Sequence, residues 1–368
     1  MKPTADAMRV QDGWRCLGGA EALDSHWTGW LAAARLLQAA AVAWPAWVRA
    51  AALAYPDYAA RLRVYGRFED GTLRDVISLT HERFVAGNRL VSGCNSTWPH
   101  FAACIGTVDS VAELIPMLLK EVAVVVWEPI LPDGALWQAV SSWPGRGNVR
   151  TYTSSDDTVL ELDRGYGELE SQLAPNLQRD LRQGEKRLRG MGQLGFEVVA
   201  EQAAVAKILH EFLELENRGW KGQAGSSILG DPASRIFYGE LAQRAALDGS
   251  LRLYTLRLAG HLIAAEFTVH NTRRLEVLKI AYDESLAKAS PGTVLRGMIL
   301  RQLADEGAIL HYCLGRSSPW KLRWCRNPRP LHTAMISRNR LAGALAFATG
   351  QRVRQGIRNR VLKLRGRR

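Results

Sequence analysis

The feature that most constrains this fold is a run in which two strand-like segments are followed by a helix and then by another strand. Residues 262–270 and 275–282 are apolar and are joined by a short polar stretch, which predicts an antiparallel hairpin. Apolar side chains then recur at helical spacing up to Gly307, and residues 309–314 form a further apolar segment. This alternation of strands and helix predicts a mixed α/β fold.

The helix in this run is predicted to begin sharply at Ser290-Pro291-Gly292-Thr293. Serine is a good N-cap residue, and proline suits the first helical position. The N–H groups of Gly292, Thr293 and Val294 would then point outward at the positive end of the helix, where they can hold a phosphate. Gly292 has no side chain to block a close approach. By local chemistry alone, however, such residues are most often only a good cap.

The first half of the chain repeats the same plan. Residues 62–68 and 73–84 predict a second hairpin, and a helix (111–119) and a strand (122–127) follow it. We therefore predict two α/β modules in tandem. The predicted boundaries are a lead-in at 1–21, a first module at 22–155, a second module at 156–337 and a basic tail at 338–368.

The first module lacks a counterpart of the helix start at Ser290. Its corresponding stretch, residues 92–107, carries Pro99 and two cysteines instead. We therefore predict that the first module is a degenerate partner that walls the site of the second module.

Composition narrows the class of protein. Of the 368 residues, 47% are hydrophobic and 23% are charged, which are values of globular proteins. The five cysteines form no CxxC pair, and the eight histidines show no HxxxH or HExxH spacing. We therefore expect neither a disulfide framework nor a metal. Acidic residues interrupt any export signal, and Arg35, Pro45 and Arg49 break the longest apolar stretch. The expected location is the reducing cytoplasm.

The net charge of +12 is concentrated at the C-terminus. No acidic residue follows Glu306, and residues 338–368 contain ten lysines and arginines. Apolar side chains recur at helical spacing among them, so this tail could associate with an anionic membrane surface. A solvated tail is the alternative. Nucleic acid is the less favoured partner, because no aromatic residue for base stacking follows Phe347.

Two observations indicate the kind of reaction: the absence of several catalytic motifs, and a resemblance to a known family. The sequence has no GxSxG elbow, no GxxxxGK[ST] loop and no GxGxxG after a strand, which leaves group transfer from a carrier. Several motifs occur in order along the second half of the chain: the segments 176–182, 216–221 and 280–283, the Ser290 helix start, and the segment 320–324. Their order and spacing resemble the acetyltransferase domain of the CelD/BcsL-like branch of the GNAT superfamily.

This resemblance implies an N- or O-acyltransferase that uses acyl-CoA, either acetyl-CoA or a longer thioester. The acceptor would be a small polar molecule or a glycan, in exopolysaccharide or cellulose production. The pantetheine would pair with the strand at 262–270, in contact with Phe267 and Val269. The pyrophosphate would rest on the helix start, formed by Ser290, Pro291, Gly292, Thr293 and Val294.

The remaining site residues are predicted with alternatives. Glu266, in an apolar strand, is the candidate base, or else it forms an ion pair with Lys279 across the hairpin. Tyr282 is the candidate proton donor, or a packing residue. The candidates for substrate binding are Arg179, Trp220, Lys221 and Lys321. Arg179 and Lys221 could instead be solvated and Trp220 a core residue, whereas Lys321 matches a lysine of the family.

One departure from the family pattern leaves the function open. The family usually has an aspartate eight or nine residues before this lysine, whereas here Tyr312 holds that position. Two alternatives therefore remain beside the acyltransferase. One is a Fem-type transferase that uses aminoacyl-tRNA, and the other is a non-catalytic partner in polysaccharide synthesis.

Overall fold

The computed structural model describes residues 12–84, 87–92, 103–144 and 148–348. The described residues form helices and strands in both halves of the chain, so the predicted α/β fold class is confirmed. Several predicted segments fall partly outside the described residues: most of the lead-in, residues 93–102 of the 92–107 stretch, and residues 349–368 of the tail.

The described residues form twelve strands. In chain order they are β1 (Gly13–Gly18), β2 (Leu62–Glu69), β3 (Thr72–Phe84), β4 (Gly87–Ser92), β5 (Val124–Ile130), β6 (Val149–Glu161), β7 (Leu194–Val199), β8 (Leu251–Leu258), β9 (His261–His270), β10 (Arg274–Tyr282), β11 (His311–Gly315) and β12 (Arg329–Ser337). Both predicted hairpins are confirmed, as the antiparallel pairs β2–β3 and β9–β10.

The helices account for most of the remaining described chain. They are α1 (Ala22–Leu36), α2 (Pro45–Ala54), α3 (Pro56–Arg61), α4 (Val108–Glu121), α5 (Ala135–Ser142), α6 (Gly165–Gln172), α7 (Pro175–Met191), α8 (Gln202–Arg218), α9 (Trp220–Gln223), α10 (Pro232–Leu247) and α11 (Pro291–Glu306), with a last helical segment at 340–348. Among these helices, none has the length and apolar character needed to cross a membrane.

The chain divides into two compact units that are not contiguous in sequence. Unit 1 contains residues 1–22, 61–155 and 330–368, and unit 2 contains residues 23–60 and 156–329. The predicted modules were contiguous in sequence, so two segments belong to a different unit from the one predicted. Helix α2 belongs to unit 2 because it packs on α10, where the rings of Trp47 and Phe237 are 5.2 Å apart. Strand β12 belongs to unit 1 because it pairs with β5.

In unit 2 the strands lie in the order β6-β11-β10-β9-β8-β7. All neighbours are antiparallel except β10 and β11, which are parallel and are connected through α11. Successive residues of a strand point to opposite faces of the sheet. In β9, Phe267 contacts the rings of Phe212 in α8 and Tyr238 in α10, whereas Glu266 contacts Arg296 in α11. Helices α8 and α10 therefore cover one face, and α11 covers the other.

An apolar core lies on the α11 face of unit 2. Burying such side chains contributes about 1.5–3 kcal/mol for each large aliphatic or aromatic residue. Helix α7 supplies leucines at helical spacing to this cluster, which explains the apolar periodicity of its sequence. Its members from α7 and α11 include Leu177, Leu181, Leu188, Leu295, Ile299 and Leu303.

Unit 1 repeats the strand pattern of unit 2. Strands β1 to β4 are successively antiparallel, β4 and β5 are parallel and connected through α4, and β5 is antiparallel to β12. The predicted helix and strand of the first half are thus α4 and β5. The tail predicted to begin at residue 338 is helical over 340–348, where Ala342 and Ala346 are buried against Val124 and Met335.

Candidate active site

A cleft opens in unit 2 where the parallel strands β10 and β11 diverge. The two strands pair only from Arg274 opposite His311 to Glu276 opposite Cys313. Beyond that point β10 continues to Tyr282, and in the described chain no strand pairs with this edge of it. A bulge at Leu278 shifts the register with β9 and bends the strand. The resulting cavity has a volume of about 520 Å³.

The lining of this cleft is strongly cationic. It contains five basic side chains, and none of its described residues is acidic. The basic residues are Lys221, Lys279, Arg296, Lys321 and Arg323. The other lining residues are Trp220, Val277, Leu278, Ile280, Tyr282, Ala287, Ser290, Gly292, Thr293, Leu314, Trp320 and Trp324. A site of this kind favours an anionic ligand with an apolar portion.

The start of α11 borders the cleft, but its geometry differs from the prediction. Ser290 is in the left-handed region with φ of 49°, and its side chain makes no capping hydrogen bond. The N–H groups of Thr293 and Val294 both donate to the Ser290 carbonyl, at 2.9 and 3.0 Å. Of the three N–H groups predicted to be free, only that of Gly292 lacks a backbone acceptor within the described residues. Val294 and Pro291 are buried and do not line the cleft.

Packing explains why position 292 is a glycine. A Cβ atom at this position would lie 3.3 Å from Cδ1 of Tyr282, which is a tight contact. The glycine therefore lets the Tyr282 ring pack against the helix start. Tyr282 is 38% exposed and lines the cleft, so both of its predicted roles, in proton transfer and in packing, fit its position.

Glu266 is part of a buried cluster behind the cleft. Its two oxygens accept hydrogen bonds from Arg296 and from the Tyr312 hydroxyl, and Arg296 Nε also donates to that hydroxyl at 3.1 Å. Glu266 is fully buried and does not line the cleft, so its position does not fit the predicted base. Glu266 does form an ion pair, but its partner is Arg296 and not Lys279. The Lys279 side chain points to the other face of the sheet.

Arg296 brings the positive charge of this cluster to the cleft wall. Burial lowers the pKa of Arg296, but the adjacent Glu266 and Tyr312 outweigh this effect and the pKa is raised. The guanidinium carbon lies 5.0 and 5.2 Å from the ring centroids of Trp320 and Trp324, which is the geometry of cation–π contacts. Arg296 therefore remains charged and is held between the buried carboxylate and the two indole rings.

Lys321 lies in the cleft, as the family resemblance implied. Its Nζ donates to the backbone carbonyls of Leu314 and Arg316, the latter at 2.8 Å. Burial, with the positive charge of Arg296, lowers the pKa of Lys321 to about 8. This lysine is therefore charged at neutral pH and titrates within the range in which most enzymes are assayed.

Trp220 and Lys221 also line the cleft, from the opposite wall. Lys221 Nζ donates to Glu216 Oε1 at 2.8 Å and to the Ile280 carbonyl at 3.0 Å, so it ties α8 to the open edge of β10. Trp220 is 56% exposed, and its backbone N–H donates to Glu284. The bulky indole at the mouth of the cleft thus remains accessible to a ligand.

Three other predicted site residues lie away from the cleft. Phe267 and Val269 are buried in β9, whose two edges pair with β8 and β10. The strand at 262–270, predicted to receive the pantetheine, thus has no free edge; the strand with an open edge is β10, which is connected to the α11 start through residues 283–290. Arg179 is exposed on α7 and does not line the cleft.

The sequence reasoning missed Arg296, Trp320 and Trp324 as site residues. The sequence does contain an indication that Arg296 is buried, because it lies at helical spacing from Ile299, Leu300 and Leu303 on the apolar side of α11. A charged residue on a buried face needs a partner. Trp320 and Trp324 were part of the family motif, yet no pattern indicated that they would contact Arg296. For metals, the described residues contain no group of three or more suitable ligands.

Part of the chain is similar to a known protein family. Residues 175–322 match the family model described as an acetyltransferase (GNAT) domain. These residues lie within unit 2 and include most of the cleft. This part of unit 2 is therefore similar to a GNAT acetyltransferase domain. None of the curated proteins compared with the chain matches it. The CelD/BcsL-like branch stays a prediction.

Several solved structures share the fold over most of the chain. FemX has a TM-score of 0.56 at 10% identity, over 84% of this chain and 93% of that one. The C-terminal domain (DUF2156) of a putative lysylphosphatidylglycerol synthetase from Agrobacterium fabrum has a TM-score of 0.55 at 13% identity, over 88% and 96%. A conserved protein of unknown function from Bacteroides thetaiotaomicron has 0.53 at 11%, over 89% and 100%. At such identities the likeness shows the fold alone.

Proposed function

We propose that this protein is an acyltransferase that takes an acyl group from acyl-CoA in the cleft between β10 and β11 and transfers it to an amine or hydroxyl acceptor. The observation that carries the proposal is the divergence of the two parallel strands beside the α11 start. It leaves a length of β10 backbone without a strand partner among the described residues, next to a helix start without a side-chain cap.

The cleft suits the parts of an acyl-CoA. Backbone amides of β10 can pair with the amide groups of pantetheine, as they would with another strand. The positive end of α11 and the charges of Arg296, Lys321 and Arg323 suit the phosphates. The apolar lining from Val277, Leu278 and Leu314 suits the pantetheine stem.

In the proposed reaction the acceptor nitrogen or oxygen forms a bond to the thioester carbon, and the carbon–sulfur bond breaks. The acceptor proton leaves, and a proton is delivered to the CoA sulfur. Tyr282 remains the proposed proton donor, because its side chain lines the cleft. Glu266 acts indirectly, by holding Arg296 in place and keeping it charged.

The experiment is a thermal-shift titration of the purified chain with CoA, acetyl-CoA and longer acyl-CoAs. At about a hundredfold excess over the dissociation constant, binding adds about 2.7 kcal/mol to the free energy of unfolding. We expect a clear upward shift with acyl-CoA. Adenosine 3′,5′-bisphosphate and pantetheine, tested separately, show whether the phosphate end or the strand end carries the affinity.

The Fem-type alternative is tested in the same format. FemX shares the fold, and so does the domain of the putative lysylphosphatidylglycerol synthetase, but neither likeness assigns a donor to this chain. Binding of aminoacyl-tRNA without any CoA shift would favour that alternative. No shift with either donor would favour a non-catalytic role. The expected polysaccharide setting stays a prediction.

The basic tail is proposed to bind anionic membrane surfaces. Residues 349–368 contain eight lysines and arginines and no acidic residue. Removing them should weaken binding to vesicles that contain phosphatidylglycerol, with a smaller difference at high salt. Vesicles of phosphatidylcholine alone are the control. Equal binding of the full chain and of the truncated chain to the anionic vesicles would contradict this role.

A further inference from the structure

The cations of the cleft divide into two sets on opposite faces of the sheet. Lys279 is paired in register with Phe267, so both side chains point to the face covered by α8 and α10. Its Nζ lies 5.5 Å from the ring centroid of Tyr238 in α10. Lys221 lies on the same side, because its Nζ contacts Glu216 in α8.

The second set lies with α11 on the other face. Arg296 belongs to α11 itself and contacts Trp320, and Lys321 contacts the same ring. Arg323 pairs with Asp180 of α7, a helix that packs on α11. The α11 start, proposed to hold the donor phosphates, is on this face too. The donor therefore accounts for the second set but not for Lys221 and Lys279.

Lys279 is the cation of the first set that lacks a carboxylate partner. Lys221 forms an ion pair with Glu216, whereas no carboxylate of the described residues lies within 4.0 Å of Lys279 Nζ. Burial lowers the pKa of Lys279, and the charge of Lys221 lowers it too. The charges of Glu216 and Asp231 oppose these effects, but neither carboxylate forms an ion pair with Lys279, so an anion in the cleft can pair with its Nζ directly.

From this arrangement we propose that the acceptor carries an anionic group, a carboxylate or a phosphate, close to its reacting amine or hydroxyl, and that Lys279 binds this group. The inference rests on the proposed function, since it assigns the α11 face to the donor. Trp220, exposed at the mouth beside Lys221, provides a flat apolar surface for the rest of the acceptor. Lys279 is thus proposed as a specificity-determining residue, and the Tyr238 ring lies close to its Nζ.

The test uses the full chain saturated with CoA and matched pairs of acceptor analogues. Glucosamine 6-phosphate with glucosamine tests a phosphate, and D-alanine with D-alaninamide tests a carboxylate. We expect the member with the phosphate or carboxylate in at least one pair to bind on the order of tenfold more tightly than the member that lacks this group, the effect of one hydrogen bond to a charged group. Which pair shows the preference identifies the anionic group.

The matched variants are Lys279→Met, which keeps the stem, and Lys279→Arg, which keeps the charge. Lys279→Met should abolish the preference for the anionic analogue, and Lys279→Arg should retain part of it. Both variants should keep the CoA-dependent shift in melting temperature. Equal binding within both pairs, no binding of any anionic member, or an unchanged preference in Lys279→Met would overturn the proposal. A wild type without a CoA shift would instead overturn the proposed function, and this inference with it.

Discussion

The two units share a strand pattern but differ at the helix that connects their parallel strands. In unit 1, α4 begins with a capping box, in which Ser110 N–H donates to Thr107 Oγ1 and Thr107 N–H donates to Ser110 Oγ. In unit 2, α11 begins at Ser290, whose side chain caps nothing. The first helix start is satisfied by its own residues, and the second leaves room for a ligand.

Unit 1 also holds a carboxylate of its own at this helix start. Ser110 Oγ donates to Asp75 Oδ1 at 2.9 Å, and both side chains are buried. A carboxylate beside a helix N-terminus occupies the place that a bound phosphate would need. Two modules of one topology can thus differ in function because of a few side chains at one helix start.

The largest expected effect tests the buried cluster of unit 2. Glu266→Ala leaves Arg296 charged, buried and unpaired, so the free energy of unfolding should fall by about 3–5 kcal/mol. Urea denaturation of the purified protein measures this change.

The control is Glu69→Ala in unit 1, which removes the exposed partner of Arg74. That variant should lose no more than about 1 kcal/mol, because a solvated ion pair contributes little. Equal losses in the two variants would contradict the special role of the cluster beneath the cleft.

The next effect concerns pH. Lys321 has a pKa of about 8, so it is charged below that pH and neutral above it. An anionic donor should therefore bind more weakly as the pH rises from about 7 to about 9, by about tenfold if one charge-assisted hydrogen bond is lost. Calorimetric titration with CoA at several pH values measures this loss. In Lys321→Met, affinity should be low throughout and lack this pH dependence; a wild-type profile in the variant would exclude the lysine.

The smallest effect compares the two helix starts directly. Thr107→Ala removes a cap that accepts the Ser110 N–H, and it should destabilise the protein by about 1 kcal/mol. Ser290→Ala removes no cap, so the free energy of unfolding should be nearly unchanged. A loss of similar size at Ser290 would mean that its hydroxyl does cap α11 in solution.

The elements that could be predicted from sequence are those fixed by local patterns. Both hairpins followed from alternating apolar segments, and α11 followed from Pro291 and Gly307, whose φ of 67° is the left-handed end that favours glycine. The lining positions of Tyr282 and Lys321 followed from family motifs.

What could not be predicted depends on contacts between distant residues. The strand with the open edge was assigned to 262–270, because nothing in a sequence shows which of two paired strands has a neighbour on its other side. Glu266 and Arg296 are 30 residues apart, so no local pattern joins them. Residues 23–60 belong to unit 2 because α2 packs on α10, and residues 330–337 belong to unit 1 because β12 pairs with β5. These contacts also join residues that are far apart in the sequence.

The central claim is that the start of α11 binds the phosphates of an acyl-CoA, and Gly292→Asp tests it most directly. The new carboxylate would stand where the phosphates are proposed to bind, and its Cβ would press on the Tyr282 ring. A carboxylate in the first turn otherwise favours a helix by about 0.3–1 kcal/mol, so the melting temperature without ligand should change little. The matched control is Asn176→Asp, which adds a carboxylate at the same position after proline in α7, away from the cleft.

The measurement is the CoA-dependent shift in melting temperature of the three proteins. The account predicts a shift in the wild type and in Asn176→Asp, and none in Gly292→Asp. A full shift in Gly292→Asp would contradict the phosphate site at this helix start.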